Sequence, residues 1–243
     1  IKNVFKRGKG VLKRKFINDE YINNMLENSG PFPDMKVIWD CGNGATGEII
    51  SKLIKRIPGE HTVLFSEING KFPNHHPDPS VKKNLEKLIS VMETKDADLG
   101  IAFDGDGDRI GIVSKEKELI SGDILTSFLT GSVINNYKNN KIILDIKSSY
   151  AAIEAINSQG GETIISKTGH SIIKSKLQEI DSPLAGEVSG HIFFNDKWHG
   201  VDDGPYSALR VLEEIYRRKS NLDKFLNDLP KYYPSPEIRI VCE

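Results

Sequence analysis

The chain has 243 residues, of which 38% are hydrophobic and 28% charged, and its formal net charge is -1. This length can fill the core of one large domain or of two smaller ones, and the near-zero net charge argues against a general nucleic-acid or membrane surface. The two cysteines, Cys41 and Cys242, are far apart and have no neighbouring metal-ligand pattern, so neither a disulfide framework nor a zinc site is indicated. Because no stretch approaches the roughly 20 apolar residues of a membrane span and no signal peptide is visible, we expect a cytoplasmic protein.

The first part of the chain predicts a lead-in followed by a strand-turn-helix unit. Residues 1–34 contain Lys-rich segments, a weak helix over 20–28 and a Pro/Gly cluster. A strand over 35–39 then leads through Asp40 and a glycine-rich turn to a helix over about 48–56. The turn has neither GxGxxG nor the Walker lysine, so both a phosphate cradle and a plain tight connection remain open.

A second strand is predicted over 61–68, and a proline-rich loop with two adjacent histidines follows it. Neighbouring side chains point in different directions, so His75 and His76 are expected to shape the loop rather than to share a metal. Apolar residues at helical spacing then predict a covering helix over 81–94.

The sequence that follows is an apolar run ending in alternating acids. Leu99–Phe103 is typical of a buried strand, and Asp104, Asp106 and Asp108 alternate with glycines directly after it. The glycines allow a tight turn in which the three carboxylates converge, and converging carboxylates need a cation between them. Ligation by oxygen alone favours a hard ion, Mg²⁺ or Ca²⁺.

Two other interpretations of this acidic loop fit the sequence less well. A turn with solvated acids explains single Asp-Gly pairs, but not the triple alternation followed by Arg109. An EF-hand needs Glu at its twelfth position, where this chain has Lys115, so it is excluded.

The strand-turn-helix pattern then begins again. A hairpin is predicted over 109–120 and a helix from Ser121 to about 135. Next come a strand over 141–146 and a helix over 150–156. Asp145 lies at the end of this strand, which is the position that Asp40 has in the first unit. We therefore predict an α/β fold of two similar three-layer domains with mixed sheets, Rossmann-like in their strand-turn-helix units, that meet near 137–140.

The second unit contains a polar stretch between apolar flanks. After a strand over 162–166 and a helix over 171–179, the alternation of Glu187, Ser189 and His191 predicts an extended segment with all three side chains on one face. A carboxylate, a hydroxyl and an imidazole together suit the hydroxyl groups of a sugar. A strand whose polar face meets solvent is the alternative.

Taken together, these segments resemble the α-D-phosphohexomutase family, in its phosphomannomutase/phosphoglucomutase branch. The matching segments span residues 40–210 in the family's order: DCGNGATG, FPNHHPDP, GIAFDGDGDR, DIKSS, SKTGHSIIKSKL, AGEVSGHIFF and GVDDGPYSALR. Such enzymes have four domains, and the resemblance implies a fragment covering the second and third. Residues 1–34 would then be a linker from a missing first domain, 35–138 the metal-binding domain, 139–232 the sugar-binding domain and 233–243 the start of a missing fourth domain.

The resemblance also implies an activity. Family members interconvert hexose 1-phosphates and hexose 6-phosphates through a phosphoserine and a bisphosphorylated sugar. By this match Asp104, Asp106 and Asp108 would hold Mg²⁺ together with the phosphoserine, and Arg109 would stabilise the transferring phosphoryl group.

The remaining motifs imply roles around the sugar. Lys147 and His170 would be acid/base or electrostatic helpers near the reacting hydroxyl, and Glu187, Ser189 and His191 would bind the phosphorylated hexose. No nucleic-acid or membrane partner is expected.

The sequence departs from the family pattern in two ways. It contains no TASHNP-like phosphoserine segment and nothing like the fourth domain's phosphate-binding loop, so we expect little activity and weakened Mg²⁺ binding from this chain alone. Phosphoglucosamine mutase, whose sugar loop resembles GEQSGH, and a non-catalytic module that binds metal or sugar phosphate both remain alternatives.

Overall fold

The computed structural model describes residues 8–220 and 222–233, so the predicted start of a fourth domain over 233–243 lies, except for residue 233, outside the described residues. Within the described part, no helix is both long and apolar enough to cross a membrane.

The first sheet and its helices follow the predicted order closely. The elements are α1 Asn18–Glu27, β1 Lys36–Asp40, α2 Gly47–Leu53, β2 Glu60–Leu64, α3 Glu86–Lys95, β3 Leu99–Phe103, β4 Ile110–Val113 and β5 Leu119–Ile120. Short 3-10 turns over Ile54–Arg56 and Lys82–Leu85 occupy parts of the regions predicted as helix. The second strand ends earlier than predicted, because Phe65 takes a left-handed conformation with φ of 52° and turns the chain.

The rest of the chain builds a second sheet with its own helices. Its elements are α4 Gly122–Ile134, β6 Lys141–Asp145, α5 Tyr150–Ser158, β7 Glu162–Ser166, α6 His170–Ile180, β8 Leu184–Gly186, β9 Ile192–Phe194, α7 Gly204–Arg218 and α8 Leu222–Asn227.

The first four strands of the first sheet have the same order and directions as the four strands of the second sheet. The first has the strand order β2-β1-β3-β4-β5 and the second β7-β6-β8-β9. In each sheet the first three strands are parallel and the next is antiparallel, so both are mixed. The prediction of two similar α/β units with mixed sheets is confirmed, and Asp40 and Asp145 end equivalent central strands.

Apolar layers cover both faces of each sheet. Helix α3 packs on one face of the first sheet through Leu88 and Met92, and α6 packs on the second through Ile173 and Leu177. The largest apolar cluster joins the other faces of the two sheets and includes residues of α4 and α7. Helix α4 contacts β4 of the first sheet as well as β8 and α5 of the second. Because these contacts do not mark where one unit ends and the other begins, the boundary after residue 138 stays a prediction.

Candidate active site

The acidic loop is folded tightly around its first carboxylate. Asp104 follows β3 and is 3% exposed. Its Oδ1 accepts hydrogen bonds from the backbone N–H groups of Gly107, at 3.0 Å, and Arg109, at 3.1 Å. Gly107 has φ of 84°, a backbone conformation that glycine adopts without strain. The buried carboxylate therefore fixes the curvature of the whole loop.

The loop brings three carboxylates together. One oxygen each of Asp104, Asp106 and Asp108 lie within 4.8 Å of one another, with Asp104 buried and Asp106 exposed. Burial and the nearby Asp104 and Asp106 carboxylates raise the pKa of Asp108 to about 7, although His191 opposes this. Since like charges at this spacing repel, a cation placed between the oxygens would favour the ionised forms. An oxygen-only donor set fits a hard divalent ion.

Arg109 is held by two carboxylates from different parts of the chain. Its Nε donates to Asp104 Oδ2 at 2.8 Å, and its Nη1 donates to Asp78 Oδ1 at 3.2 Å. Asp78 belongs to the proline-rich loop and also accepts from the Ser80 hydroxyl at 2.7 Å. Asp78 was not identified as a site residue from the sequence. The one signal for it there was its position in the FPNHHPDP segment.

The proline-rich loop is fastened to the first sheet by a buried ion pair. His75 Nε2 lies 3.1 Å from Asp40 Oδ1, and the Asp40 side chain is 1% exposed. The contact with Asp40 raises the pKa of His75, against the smaller effect of burial. His75 therefore shapes this loop, as predicted.

The predicted extended segment over 187–191 is instead a tight turn between β8 and β9. The Gly190 N–H donates to the Glu187 carbonyl at 3.0 Å, and the Glu187 N–H donates to the His191 carbonyl at 3.0 Å. The chain reverses here because Gly190 takes φ of 98°. Alternation in sequence therefore does not put the three polar side chains on one face, and that prediction is wrong.

Each of these side chains has its own surroundings. Glu187 is 2% exposed, and its Oε1 accepts from the Gly169 N–H at 2.6 Å, which joins the turn to the start of α6. Ser189 lines a cavity of about 500 Å³ together with Lys147, which lies after β6. His191 faces the acidic loop instead.

His191 lies in a cluster of charged groups. Its Nδ1 is 2.9 Å from Asp202 Oδ2 and 3.8 Å from Asp108 Oδ2. Its ring stacks on that of His170 with centroids 5.6 Å apart. Lys174 Nζ donates to Asp202 Oδ1 at 3.0 Å. Neither Asp202 nor Lys174 was identified as a site residue from the sequence, where they lie within the matching segments GVDDGPYSALR and SKTGHSIIKSKL.

The opposite charges in this cluster stabilise one another. Burial lowers the pKa of His191, but the neighbouring carboxylates of Asp202 and Asp108 outweigh burial and raise it. Burial likewise raises the pKa of Asp202, but His191 and Lys174 outweigh it and lower that pKa to about 2. Asp202 is therefore ionised and holds the imidazole in place.

Backbone contacts join the acidic loop and the 187–190 turn directly. The Ile110 N–H donates to the Gly190 carbonyl at 3.1 Å, and Arg109 and His191 form an isolated antiparallel bridge. The Gly204 N–H donates to the Gly107 carbonyl at 2.9 Å. The acidic loop is therefore in direct contact with the 187–190 turn and with the start of α7.

Two sequence profiles match the chain on either side of residue 120. The profile described as phosphoglucomutase/phosphomannomutase, alpha/beta/alpha domain II, matches residues 19–117, and that described as domain III matches residues 121–233. The chain belongs to the phosphoglucomutase/phosphomannomutase family. Its acidic loop lies in the domain II match, and Lys147, His170 and the 187–191 segment lie in the domain III match.

Curated members of this family are similar over nearly the whole chain. A phosphoglucomutase of Neisseria meningitidis is 42% identical over 231 residues, which are 95% of this chain and 50% of that protein. A phosphomannomutase/phosphoglucomutase of Pseudomonas aeruginosa is 39% identical over 239 residues, covering 98% of this chain and 52% of the relative. The chain thus spans about half the length of these relatives.

A solved structure shows the same fold. The crystal structure of a phosphoglucomutase/phosphomannomutase family protein from Burkholderia thailandensis superposes with a TM-score of 0.88 at 38% identity. The match covers 96% of this chain and 50% of that one, which supports the two-unit α/β architecture.

Proposed function

We propose that these residues form the metal-binding and sugar-binding part of an enzyme that interconverts hexose 1-phosphate and hexose 6-phosphate, with mannose or glucose as the sugar. One observation carries this proposal: the backbone contacts that place the acidic loop and Arg109 against His191 and the 187–190 turn. The names of the family relatives support it. A cytoplasmic location is part of the same proposal.

The acidic loop is proposed to hold Mg²⁺ through Asp104, Asp106 and Asp108. The convergence of three oxygen donors and the raised pKa of Asp108 fit a divalent cation there. When bound, the ion would supply positive charge that stabilises a phosphoryl group in transfer.

Arg109 is proposed to bind the same phosphoryl group. A guanidinium has five N–H donors, and the contacts with Asp104 and Asp78 use two of them. The two carboxylates fix the plane of the group, so its remaining donors are oriented before substrate arrives.

The second-sheet residues are proposed to bind the sugar and to assist proton transfer at its hydroxyl. Ser189 and Lys147 share a cavity large enough for a hexose, and Glu187 has a second carboxylate oxygen beyond the one bound to Gly169. His170 and His191 have adjacent imidazole rings, and an imidazole can serve as a general acid or base.

The phosphoryl donor is proposed to be a phosphoserine outside these 243 residues, as are further contacts to the second phosphate. We therefore expect the isolated chain to convert glucose 1-phosphate or mannose 1-phosphate slowly or not at all. The complete gene product should convert at least one of them, with Asp106→Asn lowering the rate by about 100-fold or more.

A coupled assay of both proteins with both sugars tests this proposal. Rapid turnover by the isolated chain would contradict the assignment of the phosphoryl donor. A complete gene product that converts neither sugar would contradict the proposed activity.

A further inference from the structure

A buried carboxylate at the end of β6 joins two turns of the second unit. Asp145 is 0% exposed. Its Oδ1 accepts a hydrogen bond from the Ser148 hydroxyl at 2.9 Å, in the turn that follows β6. Its Oδ2 accepts from the Thr168 hydroxyl at 3.1 Å, in the turn that follows β7. Each oxygen of one side chain therefore holds a different turn.

The first unit contains the same arrangement. Asp40 ends β1, and its Oδ1 accepts from the Gly42 N–H at 2.8 Å in the turn after β1. The same oxygen lies 3.1 Å from His75 Nε2, in the loop after β2. In each unit the acid is paired with the last residue of the neighbouring strand, so the next loop begins beside it. A carboxylate at this position therefore joins neighbouring loops in both sheets.

The two turns held by Asp145 carry two residues assigned to the sugar. Lys147 directly precedes Ser148, and His170 is two residues after Thr168. The Lys147 side chain is exposed, and that of His170 is 52% exposed. Because packing restrains exposed side chains only weakly, the backbone of each turn largely determines where its side chain begins.

Other carboxylates hold each turn from its far side. Asp123 Oδ2 accepts from the Ser149 N–H at 2.8 Å, and Glu187 Oε1 accepts from the Gly169 N–H at 2.6 Å. Asp145 differs from these two acids because it contacts both turns. Since a buried carboxylate is costly without donors, the two hydroxyl groups are held firmly to it.

We propose that Asp145 is a positioning residue that fixes the separation of the Lys147 and His170 turns, through Ser148 and Thr168. This inference rests on the proposed function, in which Lys147 and His170 assist transfer at the sugar hydroxyl. Two groups that act on one hydroxyl must be correctly spaced when the phosphoryl group moves. An error in their spacing is therefore expected to slow the chemical step more than it weakens sugar binding.

Hydroxyl substitutions in the complete gene product test this inference through catalysis. Thr168→Val keeps nearly the same shape but removes a donor to Asp145, so kcat should fall about tenfold or more while KM changes less than about threefold. Thr168→Ser keeps the hydroxyl and should retain kcat within about threefold of wild type. Thr163→Val is the matched control, since it removes a hydroxyl bond of the same length, 3.1 Å to Asn157, within β7, and should not change kcat. The proposal is overturned if Thr168→Ser is as slow as Thr168→Val.

A double-mutant cycle separates positioning from direct contact of Thr168 with the substrate. If Thr168 acts through Asp145, Thr168→Val should lower kcat no further in a protein that already carries Asp145→Asn. A full additional loss in that protein would show that Thr168 acts independently, and would contradict the proposal.

Amide hydrogen exchange of the 243-residue chain tests the link between the turns without catalysis. Thr168→Val should speed exchange by about threefold or more in 147–149 as well as in 168–170, whereas Thr163→Val should leave both turns unchanged. Faster exchange in 168–170 alone, or in neither turn, would overturn the proposal. This comparison decides the matter if Asp145→Asn does not fold. A complete gene product that converts neither sugar would contradict the proposed function, and exchange would then decide the positioning role by itself.

Discussion

At the level of single residues, the site depends on charges brought together from distant parts of the chain. Arg109 contacts Asp104, which is five residues away, and Asp78, which is 31 residues away. The sequence could predict the acidic loop because its three acids alternate with glycine. It could not predict Asp78 or Asp202 as partners, since no local pattern records a contact made by tertiary folding.

The Asp78 contact can be tested by removing its charge. Asp78→Asn should lower the free energy of unfolding by about 1 kcal/mol, because the half-buried pair with Arg109 is lost while the Asp104 pair remains. Urea denaturation at pH 7 measures this.

Asp96→Asn is the matched control for Asp78→Asn. The Asp96 side chain is 85% exposed and lies 3.7 Å from Lys115, so the free energy of unfolding should stay within about 0.5 kcal/mol of wild type. Equal losses in the two variants would show that Asp78 does not hold Arg109.

Asp108 gives a pH-dependent prediction. Its pKa is raised to about 7 when folded, against about 4 in an unfolded chain, so folding favours its protonated form. Ionisation of this group therefore opposes folding increasingly between pH 4 and 7, and fully above pH 7.

Removing this carboxylate should change the pH dependence of stability in a defined direction. Without metal, the stability of Asp108→Asn relative to wild type should be higher at pH 7.5 than at pH 4.5, as measured by urea unfolding. A difference between the two proteins that does not change with pH would contradict the raised pKa.

At the level of elements, the turn between β8 and β9 determines where the polar residues lie. The alternation of polar residues predicted an extended segment. That prediction failed because periodicity alone does not show that the chain reverses between two strands. The sequence did contain one signal for a turn, Gly190. In the structure this glycine adopts the positive φ that closes the turn. The same glycine lets the turn approach the acidic loop, since a Cβ there would lie 2.3 Å from the Ile110 carbonyl oxygen.

Substitution of Gly190 tests this close approach. Gly190→Ala should destabilise the protein by about 2 kcal/mol or more, through backbone strain and separation of the turn from β4. Thermal unfolding provides the comparison with Gly70→Ala, where an added Cβ meets nothing within 4 Å and little change is expected. A Gly190→Ala protein as stable as Gly70→Ala would contradict the described contact.

At the level of the whole molecule, the four-strand topology of the second sheet recurs in the first, and the two sheets share an apolar layer. The repeat was predictable, because Asp40 and Asp145 end similar strands before similar turns. The position of α4 was not predictable from the sequence, because its apolar residues do not indicate which sheet they contact. The shared layer and the backbone contacts between β4 and the 187–190 turn hold both halves of the site in a single arrangement.

The central claim is that one hexose-phosphate site is formed by the acidic loop and the second-sheet residues. Amide NMR spectra of the isotope-labelled chain, recorded with Mg²⁺ while mannose 1-phosphate is added, test it most directly. We predict shifts concentrated in 104–109, 147–149, 168–170 and 187–191. Shifts confined to the cavity of about 660 Å³ at the other end of the first sheet, near Met35 and Leu99, would contradict the claim, as would an unchanged spectrum at saturating sugar phosphate.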